Sequence, residues 1–256
     1  MRTFTQPNIV LRALAALSVV AMIVMNVLAN ALPLFGRGTG EVSALYPTLV
    51  TPAGYVFAIW GLIYLGLLAY SAAQFMRPLA DDPLPDRLAW PLIISNAANV
   101  SWLLLWHSLN IYLTVPAMLL LLASLITAYL IARRDRPVRP SGLERWAVRA
   151  PLGLYLGWIS VATIANVSNA LAAAEWGGWG IPPEWWGLIV LLVGAALSTA
   201  GLVREGDCVF AGVFVWAFAG IAVATPSDLV RVAATTLATA IAVGILFSAV
   251  SRRRLV

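Results

Sequence analysis

Aromatic and amide side chains share single helical faces on three apolar stretches of this chain. Residues spaced three, four, seven or eight apart lie on the same face of a helix. The three sets are Phe57, Trp60 and Tyr64; Asn99, Trp102 and Trp106; and Trp158, Ala162 and Asn166. Aromatic rings offer flat apolar surface, and amides orient a polar edge by hydrogen bonding. The spacing therefore predicts a cavity for a flat, largely apolar molecule, with helix packing alone as the alternative interpretation.

The ionisable groups used in catalysis and ion coupling are missing from the middle of the apolar stretches. The acidic residues of the later stretches fall near their ends: Glu175, Glu184, Glu205, Asp207 and Asp228. General acid–base catalysis needs a positioned ionisable group, and ion-coupled transporters keep one near the bilayer midplane. The chain has one cysteine, Cys208, and one histidine, His107, which are too few for an intrachain disulfide or a protein-only metal site of the usual kinds. No catalytic residue or metal ligand is predicted, and an enzyme would have to work through tryptophan, asparagine or tyrosine side chains or through a bound cofactor.

The elements that position these side chains are membrane spans. Of the 256 residues, 61% are hydrophobic and 11% are charged, whereas soluble domains carry about 25% charged residues. Apolar runs of about 20 residues match the thickness of the hydrocarbon core. Eight such runs are present, at residues 9–31, 52–76, 88–107, 111–132, 148–173, 184–203, 208–225 and 229–250. The sequence therefore predicts an all-α integral membrane protein of about eight transmembrane helices.

Arginine placement predicts the orientation of the spans. All sixteen basic residues are arginines, and eight spans put fourteen on the side of the N-terminus: Arg2, Arg12, Arg77, Arg87, Arg133, Arg134, Arg136, Arg139, Arg145, Arg149, Arg204, Arg252, Arg253 and Arg254. Only Arg37 and Arg231 fall on the opposite side. Because basic loops stay cytoplasmic, the protein is predicted to lie in a bacterial inner membrane with both termini on the cytoplasmic side. The net charge of +5 then indicates contact with membrane lipid and not with nucleic acid.

Two loop segments stand out from the short connections between spans. Residues 32–51 form a long loop rich in glycine and proline, and its length is typical of a lid or a binding loop. Four tryptophans lie in the connection before the sixth span or at the start of that span: Trp176, Trp179, Trp185 and Trp186. Tryptophans at the end of a span are typical of the membrane–water interface. We interpret these four as an interfacial aromatic belt rather than as ligand contacts.

Three motifs resemble those of the TspO/MBR family, the tryptophan-rich sensory proteins that include the mitochondrial translocator protein. The matching residues are Thr51, Pro52, Val56, Phe57, Trp60 and Tyr64 in the second span; Asn99 and Trp102 in the third; and Tyr155, Trp158, Ala162 and Asn166 in the fifth. Tyr55 replaces a tryptophan of the family motif, Ala53 and Ala58 replace prolines, and Trp106 stands where phenylalanine is usual. The motifs follow the family order over roughly residues 9–173.

The resemblance implies a TspO/MBR-like five-helix membrane bundle over residues 1–175. Three additional transmembrane helices would follow over residues 176–256, as in the longer bacterial branch of the family. The predicted ligand-binding residues are Tyr55, Trp60, Asn99, Trp102, Trp106, Trp158, Ala162 and Asn166. The resemblance implies no required cofactor and makes a tetrapyrrole, porphyrin or haem, a candidate ligand. Small residues such as Gly194 and Ser198 allow helices to approach closely. They could pack the last three spans against the bundle or form the interface of a homodimer.

Three functions are compatible with these features. The leading hypothesis is a membrane sensor or receptor that binds a flat amphipathic ligand, either a tetrapyrrole or a sterol- or isoprenoid-like molecule. A transporter or permease for a small apolar or amphipathic solute is the alternative, and flux into proteoliposomes distinguishes the two. A tetrapyrrole-degrading activity is a further alternative, which loss of the porphyrin spectrum with formation of a coloured product would reveal.

Overall fold

The structure, a computed structural model, describes residues 6–32, 34–134 and 140–253, and within these residues all regular elements are helical. The eight long apolar helices are α1 (Ile9–Ala31), α2 (Gly54–Ala73), α3 (Leu84–His107), α4 (Ile111–Arg133), α5 (Gly142–Ala173), α6 (Pro183–Arg204), α7 (Cys208–Ala224) and α8 (Asp228–Arg253). Seven of them are long and apolar enough to cross a membrane, and α7 has 17 residues. The prediction of an all-α integral membrane protein is confirmed.

The helix boundaries follow local capping chemistry. The Asn8 side chain accepts a hydrogen bond from the backbone N–H of Leu11, 3.0 Å away, at the start of α1. The Asp207 side chain accepts from the backbone N–H groups of Val209 and Phe210, in the first turn of α7. Each cap satisfies a donor that the first helical turn leaves without an intrahelical partner. Pro183 opens α6, where a missing N–H is harmless.

The chain forms two compact units. The first comprises Met1–Thr39 and Trp60–Leu156, and the second comprises Gly40–Ile59 and Gly157–Val256. The sequence domains 1–175 and 176–256 rest on the family resemblance and stay a prediction. Of the arginines used to predict orientation, Arg2, Arg136, Arg139 and Arg254 lie outside the described residues.

In the first unit, α3 packs against α1 and α4. A buried arginine, Arg12, connects the N-terminal end of α1 to the neighbouring segments. The Arg12 side chain is only 2% exposed. Its Nε lies 2.7 Å from Oδ1 of Asp86, and its Nη2 lies 3.1 Å from Oδ2. The remaining guanidinium N–H groups donate to the backbone carbonyls of Gln74, Leu79, Ala80 and Asp82. Every nitrogen of the buried cation is therefore paired, which is the condition for burying a charge.

In the second unit, glycines of α6 admit bulky side chains of α7 and α8. Gly187, Gly194 and Gly201 recur every seven residues along α6. A Cβ atom at Gly201 would lie 2.5 Å from the Phe210 ring, and one at Gly194 would lie 3.0 Å from the Phe218 ring. Helices in lipid have no hydrophobic driving force for association, so close packing of this kind stabilises the contact between them. Gly194, one of the small residues that could have formed a dimer interface, packs against Phe218 inside the unit. A homodimer stays a prediction.

Replacing Arg12 with lysine is expected to lower the free energy of unfolding by about 3 kcal/mol, because one ammonium group with three N–H donors cannot serve Asp86 and four carbonyls. The matched control is Arg77→Lys. The Arg77 side chain is 86% exposed and pairs with an Asp81 side chain that is 65% exposed, so this variant should change stability by less than about 0.5 kcal/mol. Unfolding in SDS, followed by circular dichroism, measures both; equal effects would contradict the role given to Arg12.

Candidate functional site

A polar seam joins α1 to α3 inside the first unit. The side chains of Asn26, Asn96 and Asn99 are all buried. Nδ2 of Asn26 donates to Oδ1 of Asn99 at 2.7 Å and to the carbonyl of Met22 at 2.9 Å. Nδ2 of Asn96 donates to Oγ of Ser18 at 2.9 Å. Nδ2 of Asn99 and Oδ1 of Asn96 have no hydrogen-bond partner among the described residues. The seam therefore has one donor and one acceptor that a ligand could use.

Aromatic rings of α2 and α5 adjoin this seam. The Trp60 ring stacks on Tyr64 with a centroid distance of 5.6 Å and meets Tyr155 edge-on at 5.9 Å. Tyr155 is fully buried, its side chain interacts with that of Asn99, and its hydroxyl also lacks a hydrogen-bond partner among the described residues. The first unit therefore brings the predicted residues Trp60 and Asn99 to the same buried tyrosine.

The two tryptophans of α3 have different surroundings. Trp102 and Trp106 stack with a centroid distance of 5.4 Å. The Trp106 indole N–H donates to the carbonyl of Thr39 at 3.1 Å, and the neighbouring His107 shares a 3.0 Å hydrogen bond with the Thr39 hydroxyl. Together they hold the first residue of a short helix, Thr39–Leu45. The indole N–H of Trp106 thus has a structural partner, and its role in ligand binding stays a prediction.

In the second unit, the start of α2 lies against α7. The Tyr55 ring meets Trp216 edge-on at 5.3 Å, and the Trp216 indole N–H donates to the carbonyl of Val56 at 2.9 Å. The backbone N–H of Ala53 donates to the carbonyl of Gly220 at 3.1 Å. A Cβ atom at Gly220 would overlap the Val56 side chain. The segment that begins the second span therefore depends on a glycine of α7.

The remaining predicted residues lie along α5. Trp158 and Asn166 are buried and Ala162 is half-buried. Phe57 meets the Trp158 ring edge-on at 5.7 Å. One turn after Asn166, the buried Asn169 donates through Nδ2 to the carbonyl of Tyr46 at 2.8 Å. That hydrogen bond anchors the long loop, whose predicted role as a lid stays a prediction.

The predicted site residues divide equally between the units. Trp60, Asn99, Trp102 and Trp106 belong to the first unit; Tyr55, Trp158, Ala162 and Asn166 belong to the second. A single cavity lined by all eight stays a prediction. Asn26 and Tyr155 were not among the predicted ligand contacts. The signal for Asn26 was an amide inside an otherwise apolar span, and the signal for Tyr155 was its match to the fifth-span motif.

A known protein family matches most of the chain. The family model described as TSPO-like protein matches residues 12–247. No curated protein and no solved structure matches the chain significantly. The match confirms the resemblance seen in the motifs and extends it over residues of α6, α7 and α8, beyond the range that the motifs covered.

Replacing Gly220 with alanine is expected to destabilise the protein by about 1–3 kcal/mol, because the added methyl group overlaps Val56 in a packed contact. Gly212→Ala is the matched control on the same helix. No atom lies within 4 Å of a Cβ atom there, so this change should be neutral or stabilise the helix by up to about 1 kcal/mol. Thermal unfolding in detergent compares the two, and a Gly220→Ala protein as stable as Gly212→Ala would refute the close contact.

Proposed function

The chain belongs to the TSPO-like protein family, and on that premise we propose that it is a membrane receptor or sensor for a flat amphipathic ligand. The ligand class is a tetrapyrrole or a sterol- or isoprenoid-like molecule. Binding takes place against the amide and aromatic groups of the first unit. Trp60 offers a ring face for stacking, and Asn99 orients the polar edge.

The observation that supports this proposal is a pair of buried polar groups, next to aromatic rings, that have no hydrogen-bond partner among the described residues. Nδ2 of Asn99 and the hydroxyl of Tyr155 are buried without a partner among the described residues. A buried polar group without a partner costs about 1–3 kcal/mol, and the hydrocarbon supplies no water to relieve it. A ligand whose edge carries carbonyl, carboxylate or ring-nitrogen acceptors recovers that free energy. Flat apolar faces on the same ligand match the Trp60 ring, which is why a receptor for such molecules is preferred.

We also propose that both termini lie in the cytoplasm of a bacterial cell. The support is the distribution of arginines, fourteen on one side against two on the other when eight spans are counted from the sequence. A reporter enzyme active only in the cytoplasm, fused after Val256, should be active. The same enzyme inserted after Gly38 should be silent. The reverse pattern would overturn the orientation without affecting the ligand proposal.

Tyr155→Phe separates ligand binding from folding. Because the Tyr155 hydroxyl has no hydrogen-bond partner among the described residues, its removal should leave stability unchanged or raise it, while protoporphyrin IX loses a hydrogen bond and binds up to about tenfold more weakly. Saturable quenching of tryptophan fluorescence by protoporphyrin IX measures the affinity, and unfolding in SDS measures stability. The same titration in proteoliposomes, paired with porphyrin uptake, tests transport.

The control is Tyr70→Phe, which removes another buried hydroxyl that lacks a partner among the described residues. Tyr70 lies in the part of α2 that neighbours Arg12, so porphyrin affinity should not change. Equal affinities for the wild type and Tyr155→Phe, or a wild type that shows no saturable quenching, would argue against the proposed site.

A further inference from the structure

The second unit contains a cavity that none of the eight predicted ligand-binding residues lines. Its volume is ≈ 600 Å³, within the range of about 300–1,000 Å³ that small-molecule sites occupy. The wall includes Thr48 and Leu49 of the long loop, Ser168 and Ala172 of α5, and the rings of Trp176 and Trp186. All of these residues belong to one compact unit. The cavity is therefore a candidate site in its own right.

The chemistry of the wall indicates an uncharged occupant. Among its described lining residues there is no Asp, Glu, Lys, Arg or His, and a charged ligand would lose its hydration without compensation. Apart from the indole N–H groups of Trp176 and Trp186, the polar side-chain groups in the wall are hydroxyls. The Ser168 hydroxyl donates to the carbonyl of Ile164 at 2.9 Å, which leaves its oxygen free to accept. The Thr48 hydroxyl shares a 2.9 Å hydrogen bond with Thr51. A ligand with one neutral donor group fits this wall.

The tryptophans beside the cavity form a fixed aromatic cluster. The ring centroids of Trp176 and Trp186 are 5.0 Å apart, and the Trp179 ring lies 5.3 Å from Trp176 and 5.9 Å from Trp186. The Trp186 indole N–H donates to the carbonyl of Gly178 at 2.9 Å. Its ring is thereby held in one orientation before any ligand arrives. A preformed aromatic wall favours an occupant that contains a ring.

The backbone of the connecting loop is held in an unfavourable conformation. Glu175 and Trp179 have φ angles of 51° and 55°, a left-handed region that bulky residues rarely adopt. Gly178 and Gly180 have positive φ as well. Such conformations persist where the surrounding structure holds them, and they concentrate at ligand sites. The interfacial belt predicted from these tryptophans thus has a more specific geometry than membrane anchoring requires.

We propose that this cavity is a second ligand-binding site, which takes a neutral, ring-containing amphipath with a single hydroxyl or similar donor group. The Trp176 and Trp186 rings contact the apolar body of the ligand. The hydroxyl oxygens of Ser168 and Thr48 accept from its polar group. The residues of this site differ from those of the proposed receptor site, so each is tested separately.

Retinol is the probe, because it joins a ring and an apolar chain to one hydroxyl. Retinoic acid, assayed above the pKa of its carboxyl group, keeps the skeleton and adds a charge. In lipid nanodiscs, saturable energy transfer from tryptophan to retinol measures binding, with empty nanodiscs as the blank. Retinol should bind saturably, and retinoic acid should bind at least about tenfold more weakly. No saturable binding of retinol, or equal binding of the two probes, overturns the proposal.

A filled cavity tests the location. Ala172→Trp places an indole in the space, and Val190→Trp does so from another lining position if the first variant fails to fold. Either should abolish saturable retinol binding. Leu192→Trp, at a position of α6 that is 50% exposed and outside the cavity wall, should leave it unchanged, as should Tyr155→Phe. Retinol binding that survives filling overturns the second site, and a weakening of that binding in Tyr155→Phe assigns the probe to the receptor site.

Discussion

Hydrocarbon supplies no hydrogen bonds, and this constraint governs how the protein is built. Every polar atom that the membrane surrounds must find its partner within the chain or remain unpaired. Arg12 shows the constraint satisfied, because one guanidinium binds a carboxylate and four carbonyls from the residues that follow α2. The Asn26–Asn99 hydrogen bond shows it satisfied in part. Nδ2 of Asn99 and the hydroxyl of Tyr155, which have no hydrogen-bond partner in the described part of the chain, stand out against that background, and the receptor proposal rests on them.

The second unit meets the membrane in a different way. Helices in lipid gain little from burying apolar surface against each other, so packing depends on close approach. The glycines of α6 receive the phenylalanines of α7, and Gly220 of α7 receives Val56. The long loop is fixed by Asn169 and the start of α2 by Trp216. These tight contacts leave a separate space beside Trp176 and Trp186, where uncharged side chains suit a neutral ligand.

Hydropathy and three motifs were sufficient to predict the helices and the family, because both signals are local in sequence. The pairing of Asn26 with Asn99 was not predictable in the same way, since 73 positions separate the two amides. The four carbonyls that bind Arg12 come from a connection with no periodic pattern, so its burial was not anticipated. The cluster around Trp186 depends on positive φ angles at Glu175 and Trp179, which spacing does not encode. Trp106 satisfied the spacing rule, yet its indole N–H binds Thr39.

The most direct test of the receptor proposal is to identify what co-purifies with the protein. Native mass spectrometry and absorbance spectroscopy of protein extracted without added ligand measure the bound molecule and its stoichiometry. The wild type should release a flat amphipathic molecule, and Asn99→Leu should lose it while a correctly folded protein is still recovered. A wild type that carries only phospholipid, or the same molecule at the same occupancy in Asn99→Leu, would contradict the account.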